Sequence, residues 1–235
     1  NEKSNTTDIK RTDAFDLKFL DQSKSEEIQY IGKLSVNNSC FYREYVLGND
    51  TPEMRATALV IGQALQQPFF TEMRTNQQLG YIVWSYTRSR DETYYLSFVI
   101  QSGEFTADDV NQRADDFIAS TPELLTAMDD ETFQQLKESA IEKLEKKPMS
   151  ISERANKFQT FIFEHDADFQ RDQKTIAALE VLQQSSTIEL LSNTVGVDSR
   201  RMVNFLMFAE QHKNTTGVKS TFNELKTWKA SRSYK

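Results

Sequence analysis

Arg74 and Tyr81 are the residues whose types and spacing best suit chemistry in this sequence. They flank one joint within the stretch 68–84, which reads PFFTEMRTNQQLGYIVW and predicts a short helix, a glycine stop and a strand. A guanidinium and a phenol both donate hydrogen bonds, so this pair could bind a carbonyl oxygen or stabilise a developing oxyanion. The structural alternative is an ion pair of Arg74 with Glu72 or another acid, with Tyr81 filling the edge of a sheet. Spacing alone favours that alternative.

An incomplete zinc motif lies at 161–165, where FIFEH retains the Glu and the last His of the inverted motif His-x-x-Glu-His. Phenylalanine stands at the first histidine position and has no lone pair for Zn²⁺. Glu164 and His165 are adjacent, so they would point about 100° apart on a helix. A catalytic zinc needs three protein ligands. No metal site is therefore predicted in this chain, and a surface Glu-His pair is the preferred interpretation.

Other reactive side chains give weaker signals. Cys40 is the single cysteine, and His165 and His212 are far from it in the sequence, so a buried small side chain is predicted rather than a nucleophile. The paired acids at 108–109 and 129–131 fall in predicted first helical turns, where they suit the helix dipole. The 7 glycines are not clustered, which argues against a phosphate-binding loop.

Composition excludes some partners. The chain has 235 residues, 38% hydrophobic and 27% charged, with a net charge of −7, an ordinary globular mix. A negative field disfavours nucleic acids and anionic membranes, and no apolar run approaches the ~20 residues of a membrane span. We expect a soluble protein without nucleic-acid or membrane partners. A single cysteine fits the cytoplasm but leaves a bacterial periplasm equally open.

Strands and helices that position these residues can be predicted from periodicity and breakers. The elements indicate an α+β fold, a mainly antiparallel β-sheet with helices packed on one face. We divide the chain into a polar tail or linker at 1–26, an α+β domain at 27–212 and a polar tail at 213–235. Strands are predicted at 28–34, 41–47, 81–88, 94–102 and 203–209, and helices beginning near 52, 68, 106, 122, 129, 150, 173 and 186.

The stretch 74–83, with its pattern RTxxQLGYIV, and the later strand end 98–102, FVIQS, carry a family resemblance. They resemble the insulysin/pitrilysin family of inverted-zinc-motif metallopeptidases, and in particular the last of the four homologous domains in those long chains. In element order the resemblance runs from about Ile28 to about His212.

This resemblance implies a division of labour within a longer parent enzyme. The family's zinc and catalytic glutamate belong to the first domain, whereas the matching helix here, 52–67, has no such motif. The resemblance thus implies a non-catalytic C-terminal domain without zinc, partnered by the N-terminal domains of the same parent chain. It also implies that Arg74 and Tyr81 contact peptide substrates near the scissile carbonyl, with Tyr81 assisting catalysis. A purely structural half-chamber and an independent peptide-binding module remain alternatives.

Overall fold

A five-stranded sheet is the framework of the computed structural model, which describes residues 24–90 and 92–233. Its order is β1-β5-β2-β4-β3, with β1 and β5 parallel and the other neighbours antiparallel. The predicted α+β class with a mainly antiparallel sheet is therefore confirmed. The strands are β1 (Glu26–Lys33), β2 (Ser39–Asn49), β3 (Ile82–Arg90), β4 (Thr93–Ser102) and β5 (Arg201–Phe208).

Several helices begin directly after a capping residue. Thr51, Asp129 and Ser150 each accept a hydrogen bond from a backbone N–H of the first turn, as N-cap residues do. The helices are α1 (Pro52–Phe70), α2 (Ala107–Ala119), α3 (Thr121–Thr126), α4 (Asp130–Glu145), α5 (Ile151–Glu164), α6 (Arg171–Val181), α7 (Gln184–Val195) and α8 (Leu225–Ala230), and a π-helical turn (Thr71–Asn76) continues α1.

Alternate strand residues separate a helix-covered face of the sheet from an open face. Phe41, Phe98 and Leu206 are fully buried beneath the helices. Trp84 and Phe205 lie on the opposite face and are exposed. Helices α1, α2 and α7 all contact the sheet through its covered face.

Pro68 does not begin a helix, contrary to the sequence-based prediction. It lies inside α1, which continues through the π-turn to Asn76. A proline costs a helix one hydrogen bond. That cost is offset here because one buried stripe runs across it at four-residue spacing, with Ile61, Leu65, Phe69 and Met73 all fully buried.

The C-terminal segment 213–233 lies against the sheet and α2. The Asp108 carboxylate accepts hydrogen bonds from the backbone N–H groups of Thr215 and Thr216, at 2.9 and 3.0 Å. Further along, the Phe222 ring stacks on Tyr30 with centroids 5.7 Å apart. The boundary placed at residue 212 remains a prediction. Most of the tail predicted at 1–26 lies outside the described residues.

Candidate functional site

The helix before the Arg74–Tyr81 joint ends in a Schellman-type motif rather than at Gly80. The Leu79 N–H donates to the Met73 carbonyl at 2.9 Å, and both side chains are buried. Gln78, with φ of 54°, takes the left-handed position that the sequence suggested for Gly80. A glutamine gives no sequence signal for this role, because glycine and asparagine are the residues that favour it.

Gly80 is required for a different reason. A Cβ atom added there would lie 1.8 Å from the Gln101 carbonyl oxygen, well inside van der Waals contact. The chain can therefore cross the end of β4 at this distance only without a side chain. This close approach places Tyr81 immediately before β3, whose first residue, Ile82, is opposite Gln101.

Arg74 holds Tyr81 through its backbone and its ring. Its Nη1 donates to the Tyr81 carbonyl oxygen at 2.8 Å. Its guanidinium carbon lies 4.5 Å from the Tyr81 ring centroid and 5.1 Å from that of Phe70, within the range of cation–π contacts. The structure thus brings the two sequence-predicted site residues into direct contact.

Glu72, proposed above as a partner of Arg74, is used elsewhere. Its carboxylate accepts hydrogen bonds from the Asn76 and Gln77 side-chain amides, at 2.7 and 2.8 Å. The bonds from Gln77 and Asn76 hold the pKa of Glu72 below its usual value. Within the described residues, no carboxylate lies at ion-pair distance from Arg74.

Tyr81 lies on the surface and does not fill the sheet edge. Its side chain is 81% exposed. Among the residues that the structure describes, its hydroxyl has no hydrogen-bond partner. The phenol is therefore available as a donor, while the stacked Arg74 orients the ring.

A groove of about 550 Å³ lies beside the π-turn and was not predicted from the sequence. Its walls come from two segments about 40 residues apart in the sequence. Hydrophobic periodicity gives no signal that two such distant segments lie side by side. The Arg113 Nη1 donates across it to the Gln77 side-chain oxygen at 3.4 Å. The lining residues are Gln67, Pro68, Thr71, Glu72, Asn76, Gln77, Arg113, Asp116, Phe117, Ser120 and Leu124.

The remaining candidates are not assembled into catalytic groups. Burial raises the pKa of the Cys40 thiol, which disfavours its nucleophilic form. His212 Nδ1 is instead 2.8 Å from the Ser39 hydroxyl oxygen. In the motif at 161–165, Phe161 is buried against Phe169, with ring centroids 6.3 Å apart.

Zinc does not fit the residues that the structure describes. Across 24–90 and 92–233, no group of three histidine, cysteine, aspartate or glutamate side chains could hold a metal ion. None of the described helices combines the length and apolar character needed to cross a membrane.

Comparisons with known proteins agree with the predicted resemblance and with the fold. The family model described as the PQQ synthase PqqF-like C-terminal lobe domain 4 matches residues 60–159. Human insulin-degrading enzyme is 31% identical over 140 residues, which are 59% of this chain and 14% of that protein. The chain thus spans only about one seventh of the length of that relative.

Two solved structures share the architecture. A crystal structure of pitrilysin superposes with a TM-score of 0.75 at 18% identity, covering 93% of this chain and 24% of that one. A peptidase M16 inactive domain from Pseudomonas fluorescens gives a TM-score of 0.58 at 14% identity, covering 81% of this chain and 45% of that one. At these identities the likeness establishes the fold alone.

The fold and the sequence matches together indicate a peptidase-like α+β domain that is similar to a C-terminal lobe domain. These matches support the predicted resemblance to the insulysin/pitrilysin family of metallopeptidases.

Proposed function

We propose that this chain forms part of the substrate chamber of a larger zinc peptidase and binds the peptide backbone near the scissile bond. Its partners are the N-terminal domains of the same parent chain, one of which carries the zinc. Residues 27–212 form the peptidase-like domain. The observation that carries the proposal is the exposed Tyr81 phenol, which has no hydrogen-bond partner in the described residues and is oriented by Arg74.

In this proposal the two side chains bind different oxygens. Arg74 uses one N–H for the Tyr81 carbonyl and keeps other donors, which bind a carbonyl of the substrate backbone. Tyr81 donates its hydroxyl proton to the oxygen that becomes negative when the scissile carbonyl is attacked. Because Tyr81 already lies against Arg74 before substrate binds, little reorganisation accompanies the reaction.

The test is Tyr81→Phe in the parent enzyme. Loss of one oxyanion donor typically lowers kcat by about 10²–10³-fold, whereas KM for a peptide should change little. Tyr30→Phe is the matched control, because Tyr30 lies at the opposite edge of the sheet. Near-normal kcat for Tyr81→Phe would contradict the assisting role and leave the structural half-chamber as the function.

A further inference from the structure

The two edges of the sheet differ in a way that bears on the substrate. The outer edge of β1 is covered by the C-terminal segment. The Thr221 N–H donates to the Gln29 carbonyl at 2.7 Å, and the Ser220 hydroxyl accepts from the Ile31 N–H at 2.9 Å. At the other edge, the main-chain groups of 82–89 that point away from β4 bind no group within the described residues.

The uncovered edge has few of the features that usually protect an edge strand. Such edges commonly carry proline, lysine or a bulge. The β3 sequence, IVWSYTRSR, has no proline or lysine, and its pairing with β4 is in continuous register. Arg88 and Arg90 lie at its far end, where both bind Glu44. The half nearest Tyr81 is uncharged and apolar, and Trp84 is 54% exposed.

We propose that the edge of β3 binds an extended peptide segment as an additional strand, with an apolar side chain of that peptide beside Trp84. This inference rests on the proposed function and identifies the peptide conformation that the same site selects. Unpaired alternate N–H and C=O groups are complementary to an extended backbone. At the start of the strand, the remaining N–H donors of Arg74 are complementary to a peptide carbonyl.

The position of Trp84 defines the side-chain preference. Residues of an added strand that face the open side of the sheet lie beside Ile82 and Trp84. Ile82 is also exposed, so a bulky apolar side chain there removes three apolar surfaces from water. A peptide with small polar residues at those positions keeps the backbone bonds and loses this contribution.

The experiment uses the intact chain and a blocked seven-residue Ser/Thr peptide with one central phenylalanine. Singly N-methylated derivatives remove one backbone donor at a time. N-methylation at alternate positions should weaken binding about tenfold, since one hydrogen bond contributes roughly 1–1.5 kcal/mol. The intervening positions should tolerate it. Amide hydrogen exchange should slow at alternate residues of 82–89. Equal effects at every position, or unchanged exchange in β3 at 1 mM peptide, would overturn the proposal.

Trp84→Ala tests the side-chain preference. It should weaken binding of the phenylalanine peptide about tenfold and leave an alanine-centred peptide nearly unaffected. Phe163→Ala is the matched control, because Phe163 on α5 is 74% exposed and remote in sequence from β3. Equal losses for the two peptides, or for the two variants, would contradict the preference.

Tyr81→Phe separates this inference from the proposed function. The alternating N-methyl pattern should persist in that variant, because the phenol hydroxyl is not part of the strand backbone. If the pattern persists while kcat of the parent enzyme is normal, strand addition stands and the oxyanion role fails. If kcat falls and the alternating pattern is absent, the oxyanion role stands and strand addition fails.

Discussion

The contact of Arg74 with Tyr81 predicts a measurable coupling energy. Arg74→Ala removes one hydrogen bond to the Tyr81 carbonyl and two cation–π contacts. The hydrogen bond contributes about 1 kcal/mol and each cation–π contact about 0.5–1 kcal/mol at an exposed site. We therefore expect Arg74→Ala to lower the free energy of unfolding by about 2–3 kcal/mol.

Tyr81→Ala should lower the free energy of unfolding by less than Arg74→Ala does. The side chain is mostly exposed, so little buried area is lost, and the carbonyl that Arg74 binds belongs to the backbone and remains. The double-mutant cycle consequently reports the ring contact alone, and its interaction energy should be about 0.5–1 kcal/mol.

Urea unfolding of the four proteins measures this cycle. A second cycle with Arg74→Ala and Phe163→Ala is the control, because these side chains lie on α1's π-turn and on α5, and their effects should add within about 0.3–0.5 kcal/mol. An Arg74–Tyr81 interaction energy no larger than the control value would refute the argument that Arg74 orients the phenol.

Three further predictions concern how this joint and the C-terminal segment are held. Gly80→Ala should lower the free energy of unfolding by about 2 kcal/mol or more, because the new methyl group meets the Gln101 carbonyl. Faster amide exchange in β3 and β4 would show this loss of stability. Wild-type stability would contradict the close approach. Gln78→Gly should raise the free energy of unfolding by about 1 kcal/mol in thermal denaturation, because glycine adopts positive φ without strain. A loss of stability would argue against the Schellman-type motif at the end of the helix. Burial opposes ionisation of Asp108, but hydrogen bonds from Thr106, Thr215 and Thr216 outweigh it and lower its pKa to about 2 from 3.8. The stability that ionised Asp108 gives to the docked segment is therefore present above about pH 4 and is lost as the pH falls toward 2. Limited proteolysis of 213–233 should accelerate over that range and in Asp108→Asn at neutral pH, but not in Asp109→Asn, which affects only the exposed pair with Arg113.

The elements of this fold are largely predictable because their signals are local. The N-caps Thr51 and Ser150 precede acids and apolar stripes, and the strands alternate as a half-buried sheet requires. The prediction that a helix begins at Pro68 is wrong because a continuous buried stripe outweighs the effect of one proline. The spacing of Ile61, Leu65, Phe69 and Met73 predicts one continuous helix once it is taken as a whole.

The sequence suggests residue types for the candidate site, but it does not predict the site's geometry. Arg74 and Tyr81 are seven residues apart, and their contact depends on where the helix ends. That end is set by Gln78 in a left-handed conformation, which its residue type does not favour, and by a non-local approach of Gly80 to β4. Pairings between distant segments are invisible to periodicity, as the docking of Thr215 and Thr216 on Asp108 also illustrates.

The covered edge of β1 limits how copies of this chain can associate. A sheet with one available edge has a valency of one, so pairing through β3 stops at a closed dimer. A sheet with two available edges can add copies at both ends and grow into a filament. The hydrogen bonds of Ser220 and Thr221 to β1 therefore prevent another copy from pairing at that edge, whether or not a peptide is bound at β3.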